Sequence, residues 1–158
     1  LAGSSAASDV YKRQELKLHK SLLPSEILTN LDNVEHNQPI YLKGINFVSL
    51  CEHHLLPFTG LVNIAVYPNS KIAGVSKFSE LVNILSNNLT LQETLTKNIA
   101  IEIQNALDPK GVMVKISANH MCSSLLNIEN SQTEFETTYS TGIYEIDHTL
   151  RNEAILNF

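Results

Sequence analysis

Residues Gln38–Pro68 read QPIYLKGINFVSLCEHHLLPFTGLVNIAVYP. Two apolar runs flank a short polar turn. In the first run, Ile40 and Leu42 share one parity and Ile45 and Phe47 share the other. Gly44 sits at the switch, where a bulge or bend re-aims the side chains. The second run, Leu61 to Tyr67, is punctuated by Gly60 and by Pro68-Asn69. The pattern predicts two strands paired as an antiparallel hairpin, with the Cys-His-His turn as their connection.

Within that turn, Cys51, His53 and His54 place a thiol and two imidazoles within four residues. A second group lies far downstream at His120-Met121-Cys122. Together the two groups hold both cysteines of the chain and three of its six histidines. Zinc takes Cys sulfur and His nitrogen in a tetrahedral shell, and a catalytic zinc keeps one position open for water. The candidate ligands are Cys51, His54 and Cys122. Cys51 and His54 are three apart with Pro57 close behind, so one turn can aim both at a point. His120 and Cys122 follow the alternating run Val112, Val114, Ile116, Ala118 and are expected to share the buried face of one strand. His53 and His120 remain as candidates for proton transfer, since imidazole titrates near neutral pH. A buried cysteine is often only a small hydrophobe, and an isolated histidine is usually structural. A Cys51–Cys122 disulfide ranks below metal binding, because nothing else points to secretion.

The remaining elements follow from periodicity. Ser76 is expected to cap a helix whose apolar face is Phe78, Leu81, Val82 and Leu85, ending at Asn87-Asn88. Thr90 is expected to open a second helix, with Glu93 completing a capping box. Leu95, Ile99, Ile103 and Ala106 form its stripe, and Asp108-Pro109-Lys110-Gly111 stops it. Gly111 to Cys122 reads as the third strand and Thr133 to Tyr144, rich in Thr, Phe and Tyr, as the fourth. Asp147 is placed to cap a last helix containing Leu150, Ala154 and Ile155. The order β-β-α-α-β-β-α implies an α+β fold with an antiparallel sheet.

The chain has 158 residues, 43% of them hydrophobic and 17% charged, which suits one globular domain with a real core. No apolar run approaches the roughly 18–20 residues of a membrane span. No signal-peptide pattern is visible, and cysteines assigned to metal suit a reducing cytoplasm. The net charge of −5 argues against nucleic acid as a partner. Residues 1–14, LAGSSAASDVYKRQ, resemble translated sequencing-adapter sequence and are set aside from fold reasoning. Residues 15–37 are weakly patterned, with Pro24-Ser25 expected to start a short helix through Ile27 and Leu31. Residues 38–158 form the predicted domain.

From about Gln38 onward the chain resembles GTP cyclohydrolase I. The segments that carry the resemblance are SLCEHHLLPFTG (Ser49–Gly60), Tyr67-Pro68, GVSK (Gly74–Lys77), LQETLTKNIA (Leu91–Ala100), GVMVKISANHMC (Gly111–Cys122), and a tail with Ser131, Thr133 and Gly142. The resemblance implies the tunnelling fold, whose subunits close an antiparallel barrel as a homo-oligomer, a decamer of two stacked pentamers. Residues 15–37 would then be the remnant of an N-terminal helical region whose beginning is missing. It implies conversion of GTP and water to 7,8-dihydroneopterin triphosphate and formate, the first step toward tetrahydrofolate and other pterins. Cys51, His54 and Cys122 match the family's zinc ligands, and His53 and His120 its proton-transfer histidines. Gln92 and Glu93 match the pair that reads guanine; a carboxylate can accept from both N1–H and the 2-amino group. Ser76 and Lys77 match triphosphate contacts at a helix start, where backbone N–H groups and the dipole favour anions. Each has a plainer reading beside it. Glu93 would only complete a capping box, Lys77 would be a solvated lysine, Ser76 only the cap, and Glu52 a structural partner.

The departures cluster at the phosphate end. Glu80 stands where the family has an arginine three residues after the GVSK lysine, and Leu126 where it has one four residues after the last zinc cysteine. Asn87-Asn88 stands where the family has an Arg-rich segment, and the resemblance implies a further arginine in an N-terminal region expected to be missing here. Losing a charge-assisted contact costs about 1.5–3 kcal/mol. The expectation is therefore a zinc cyclohydrolase acting on GTP. The alternative is a non-catalytic or altered-substrate paralogue, a zinc-stabilised barrel subunit binding a pterin or purine.

Overall fold

A computed structural model of the chain describes residues 27–28, 30–32, 36–126 and 133–158. Strands β2 (Ile40–Cys51) and β3 (Pro57–Tyr67) form the expected antiparallel hairpin, in register from Ile40↔Val66 to Leu50↔Pro57. The pairing shifts between Leu42 and Ile45. Gly44 lies there at φ 72°, and its N–H donates to Asn63 Oδ1 at 2.8 Å. The parity switch in the sequence is thus a bulge built on a left-handed glycine.

Strand β3 begins at Pro57, four residues before the Leu61 start expected from the sequence. Gly60 is not a boundary but a point of close approach. A Cβ there would strike Ser117 O and the Cα of Ala118 on the neighbouring strand. That neighbour is β6 (Gly111–His120), antiparallel to β3 from Phe58↔His120 to Tyr67↔Gly111. Strand β7 (Glu134–Gly142) pairs antiparallel with β6. It ends at Gly142, whose φ of 58° turns the chain out of the sheet, so Tyr144 lies beyond the strand predicted to contain it. A two-residue strand β5 (Leu89–Thr90) pairs parallel with β2 at Leu50 and Cys51. The five-stranded sheet has the order β5-β2-β3-β6-β7. A separate antiparallel pair joins β1 (Asn30–Asp32) to β4 (Lys71–Ala73). Leu31 is therefore a strand residue rather than the end of a short helix, and Pro24-Ser25 lie outside the described residues. Residues 1–14 lie outside them too.

Helices α1 (Val75–Ser86) and α2 (Gln92–Leu107) connect β3 to β6 and cover one face of the sheet. Phe78, Leu81, Val82, Leu95, Ile99 and Ile103 pack against Leu42, Phe47, Val62, Ile64, Val114 and Ile116. Each such side chain contributes about 1.5–3 kcal/mol on full burial. After β6 a short helix α3 (Met121–Leu126) leads toward β7. Helices α4 (Ile143–Ile146) and α5 (His148–Asn157) cover part of the opposite face, where Tyr144 and Ala154 meet Ala65 and Met113. Asp147 caps α5 as expected, its side chain accepting from the N–H groups of Thr149 and Leu150.

Three expectations at helix starts are corrected. Ser76 is not a cap: α1 begins at Val75, with Gly74 at the cap position and no side-chain cap bond. Thr90 does not open α2 either. It belongs to β5, its carbonyl accepts from Glu52 N–H at 3.2 Å, and Leu91 takes the cap position without a side-chain cap bond. The strand pairing holds Thr90 extended, so the capping box does not form. Cys122 is not on β6, because the chain leaves the sheet after His120 and enters α3.

Candidate active site

The turn between β2 and β3 is closed by two main-chain bonds, Cys51 N–H to Leu56 O at 3.0 Å and Leu55 N–H to Cys51 O at 2.8 Å. Leu55 takes φ 55° to make this reversal, a conformation that costs a non-glycine residue about 1–2 kcal/mol. The tight turn leaves Cys51 buried and holds His53 and His54 exposed beside it, their rings 6.1 Å apart and nearly perpendicular.

This turn forms one wall of a cavity of about 320 Å³. Cys51, His53 and His54 come from the turn, Leu91, Gln92 and Glu93 from the start of α2. His120, Cys122 and Ser123 come from the end of β6 and from α3, Thr133 from the residue before β7, and Phe135 from the start of β7 itself. Thus every residue assigned to metal, catalysis and guanine from the sequence lines one space. Cys122 reaches it from a helix turn rather than a strand face. Both cysteines are free thiols, so no disulfide joins them.

Two free thiols and an imidazole on one cavity form a donor set suited to zinc. Among the described residues, no three His, Cys, Asp or Glu side chains already stand together at metal-holding spacing. Cys51, His54 and Cys122 share the cavity without forming a closed ligand set.

His120 is the most constrained of the candidates. Its ring stacks on Phe58, centroids 4.7 Å apart and planes 5° from parallel, and meets Phe135 edge-on at 5.7 Å. Its Nε2 lies 2.8 Å from Gln92 Oε1. Burial holds its pKa below the ordinary imidazole range, while Glu93 nearby pulls it up and His54 pushes it down. Gln92 is fully buried. Its Nε2 faces Ile116 O at 3.1 Å, Phe135 O at 2.8 Å and Thr137 Oγ1 at 3.1 Å. Thr96 supports the arrangement, donating to Gln92 O at 2.7 Å and lying 2.6 Å from Thr137 Oγ1. Glu93 is exposed at the cavity and caps nothing.

Ser76 and Lys77 do not line this cavity. Ser76 is exposed on the first turn of α1, and Lys77 Nζ is paired with Glu80 Oε2 at 2.9 Å. Glu52 is exposed and joins the fold through its backbone bond to Thr90. Phe58, Phe135 and Thr137 were not singled out from the sequence. The signal for Phe58 existed only in the pairing of β3 with β6, which sets it directly opposite His120.

An α+β fold with this five-stranded sheet, and a thiol–imidazole cavity beside the turn of its β2–β3 hairpin, defines a tunnelling-fold protein. The structure is similar to an archaeosine synthase QueF-Like in the apo form, with a TM-score of 0.58 and 17% identity, over 68% of this chain and 97% of that one. This likeness concerns the fold. The family model for GTP cyclohydrolase I matches residues 7–157, and the chain belongs to that family. It is 45% identical over 127 residues to GTP cyclohydrolase 1 of Rickettsia typhi, spanning 80% of this chain and 66% of that protein. It is 40% identical over 121 residues to the enzyme of Rattus norvegicus, spanning 77% of this chain and 50% of that protein. The chain therefore spans about two thirds or less of the length of these curated relatives.

Proposed function

We propose that the chain hydrolyses GTP with water to 7,8-dihydroneopterin triphosphate and formate, as the first committed step of pterin and folate synthesis. The observation that carries this reading is the convergence of Cys51, His53, His54, Glu93, His120 and Cys122 on one cavity. Cys51, His54 and Cys122 would hold a zinc ion, which would supply the Lewis acidity needed to make water a nucleophile toward guanine C8 near neutral pH. Glu93 accepts from guanine N1–H and the 2-amino group, with Gln92 beside it at the head of α2. His53 and His120 move protons during ring opening and closure. The constrained ring of His120 suits this, since a fixed imidazole loses little entropy on reaching the reactive geometry.

Ser76 and Lys77 meet the triphosphate in this proposal. They lie outside the cavity of their own chain, so in a homo-oligomeric barrel of stacked pentamers they serve the cavity of a neighbouring copy. Closure by neighbours also pairs the open edges at β5 and β7. No described helix is long and apolar enough to cross a membrane, and free thiols assigned to metal suit the cytoplasm.

A second reading is favoured by one contact. Lys77 is already neutralised by Glu80, which weakens the site for a triphosphate and favours a less phosphorylated guanine compound, or a binding role alone. The test is formate release by the zinc-loaded protein from GTP, GMP and guanosine in parallel. Formate from GTP supports the main reading. Formate only from GMP or guanosine supports a changed substrate. No formate from any of them, with zinc bound, overturns the enzymatic reading.

A further inference from the structure

The buried side chain of Gln92 carries information about His120 that the cavity lining alone does not. An amide oxygen and an amide nitrogen are alike in size, and their assignment follows from their partners. The nitrogen end of Gln92 faces two main-chain carbonyls, Ile116 O at 3.1 Å and Phe135 O at 2.8 Å. A carbonyl oxygen can only accept, so this end must be the donor. The other end is then Oε1, which can also only accept. It lies 2.8 Å from His120 Nε2. For that contact to be a hydrogen bond, His120 Nε2 must carry the proton.

We propose that Gln92 is a positioning residue that holds neutral His120 as the Nε2–H tautomer, so that the ring's free lone pair is on Nδ1. The carbonyls of β6 and β7 set the orientation of the amide, and the amide sets the tautomer. Phe58 stacked on one ring face and Phe135 at its edge fix the plane in which the imidazole meets the Gln92 amide. What Gln92 contributes to the guanine end is therefore the placement of a neighbouring base. This rests on the cavity being the cyclohydrolase site, but its structural part can be read without substrate.

Neutron diffraction from deuterium-exchanged crystals of the zinc-loaded full chain, grown at mildly alkaline pD, locates the deuteron on His120. A single deuteron on Nε2, shared with Gln92, is expected. A deuteron on Nδ1, on both nitrogens, or split between them overturns the proposal. The kinetic arm uses Gln92→Met. Its kcat for formate release should fall on the order of 10²-fold or more, as for a base held in the wrong tautomer, with KM changed little. A raised KM with unchanged kcat would make Gln92 a substrate contact and overturn the proposal. If Gln92→Met does not fold, the wild-type deuteron position decides alone. A wild-type chain with the deuteron on Nε2 but no formate from GTP defeats the proposed activity while leaving the positioning role standing.

Discussion

Phe58 and His120 occupy directly opposed positions on β3 and β6, and their rings stack with centroids 4.7 Å apart. One is a core residue with no exposed surface; the other opens onto the cavity. The contact joins the packing of the sheet to the chemistry of the site. Replacing Phe58 by Ala should cost about 3–5 kcal/mol of stability, as for other fully buried aromatics. Phe58→Leu should keep the fold at a smaller cost yet remove the flat surface beneath the imidazole. Urea unfolding measures the first effect. A fall in kcat for Phe58→Leu, at substrate saturation, measures the second.

His120→Ala removes both the proton carrier and the donor to Gln92 Oε1. Formate release should drop on the order of 10²–10⁴-fold. Stability should fall by about 1–3 kcal/mol, because a buried acceptor is left without its donor. Equal turnover in wild type and variant would remove His120 from the mechanism.

Substituting Cys122→Ser or Cys51→Ser should lower the zinc retained after dialysis, measured by atomic emission against protein concentration. A zinc ligand set with a serine in place of a thiolate binds the metal less well. Chelation should lower the Tm of the wild type and leave the Tm of the variants nearly unchanged, since metal that binds the folded state stabilises it. If the wild type retains no zinc under conditions where it is folded, the ligand assignment fails.

The Lys77–Glu80 pair is half-exposed on α1, and such pairs contribute about 0.2–0.5 kcal/mol. Glu80→Gln should therefore leave Tm almost unchanged. It should lower the KM for GTP by about three- to tenfold, equivalent to roughly 1 kcal/mol of recovered attraction between Lys77 and phosphate. An unchanged KM would place Lys77 away from the triphosphate.

Glu136 has its pKa lowered by hydrogen bonds from Lys115 and Ser117, with Lys115 charge adding to the effect. A carboxylate held below its unfolded value contributes stability that is present above the unfolded pKa. That contribution is lost as pH falls below the ordinary carboxylate value and through the lower folded one. The side chain is half-exposed, so solvent screening limits the contribution to no more than about 0.5 kcal/mol. Glu136→Gln should flatten the acid limb of the stability–pH curve by that amount, and the difference from wild type should shrink steadily as the pH is lowered, measured by urea unfolding across the acid range.

Much of the fold was legible because local rules were enough. Alternating apolar residues gave each strand its faces, and Gly44 between two parities marked the bulge. The spacing of Phe78, Leu81 and Val82 gave α1 its buried side. Helix starts were less legible. Ser76 and Thr90 have the side chains of caps, but the chain uses Gly74 and Leu91, because strand pairing rather than capping holds the residues before α2 extended. Gly60 reads as a turn residue in one dimension and is a close contact with β6 in three.

The sequence by itself determined two thiols and the histidines of the turn and of β6 as candidate donors, since residue type and neighbour spacing in a turn are short-range. The Gln92-Glu93 pair entered only through the resemblance to the family, because spacing alone made Glu93 a capping-box residue. The tertiary structure alone decided how these residues are used. Pairing β3 with β6 set Phe58 against His120, and packing α2 across β6 and β7 surrounded Gln92 with carbonyls that orient it. The fold also left Lys77 on α1, bound to Glu80 and away from the cavity. These relations join residues tens of positions apart. They depend on which surfaces meet when the core is buried, and no local pattern encodes that.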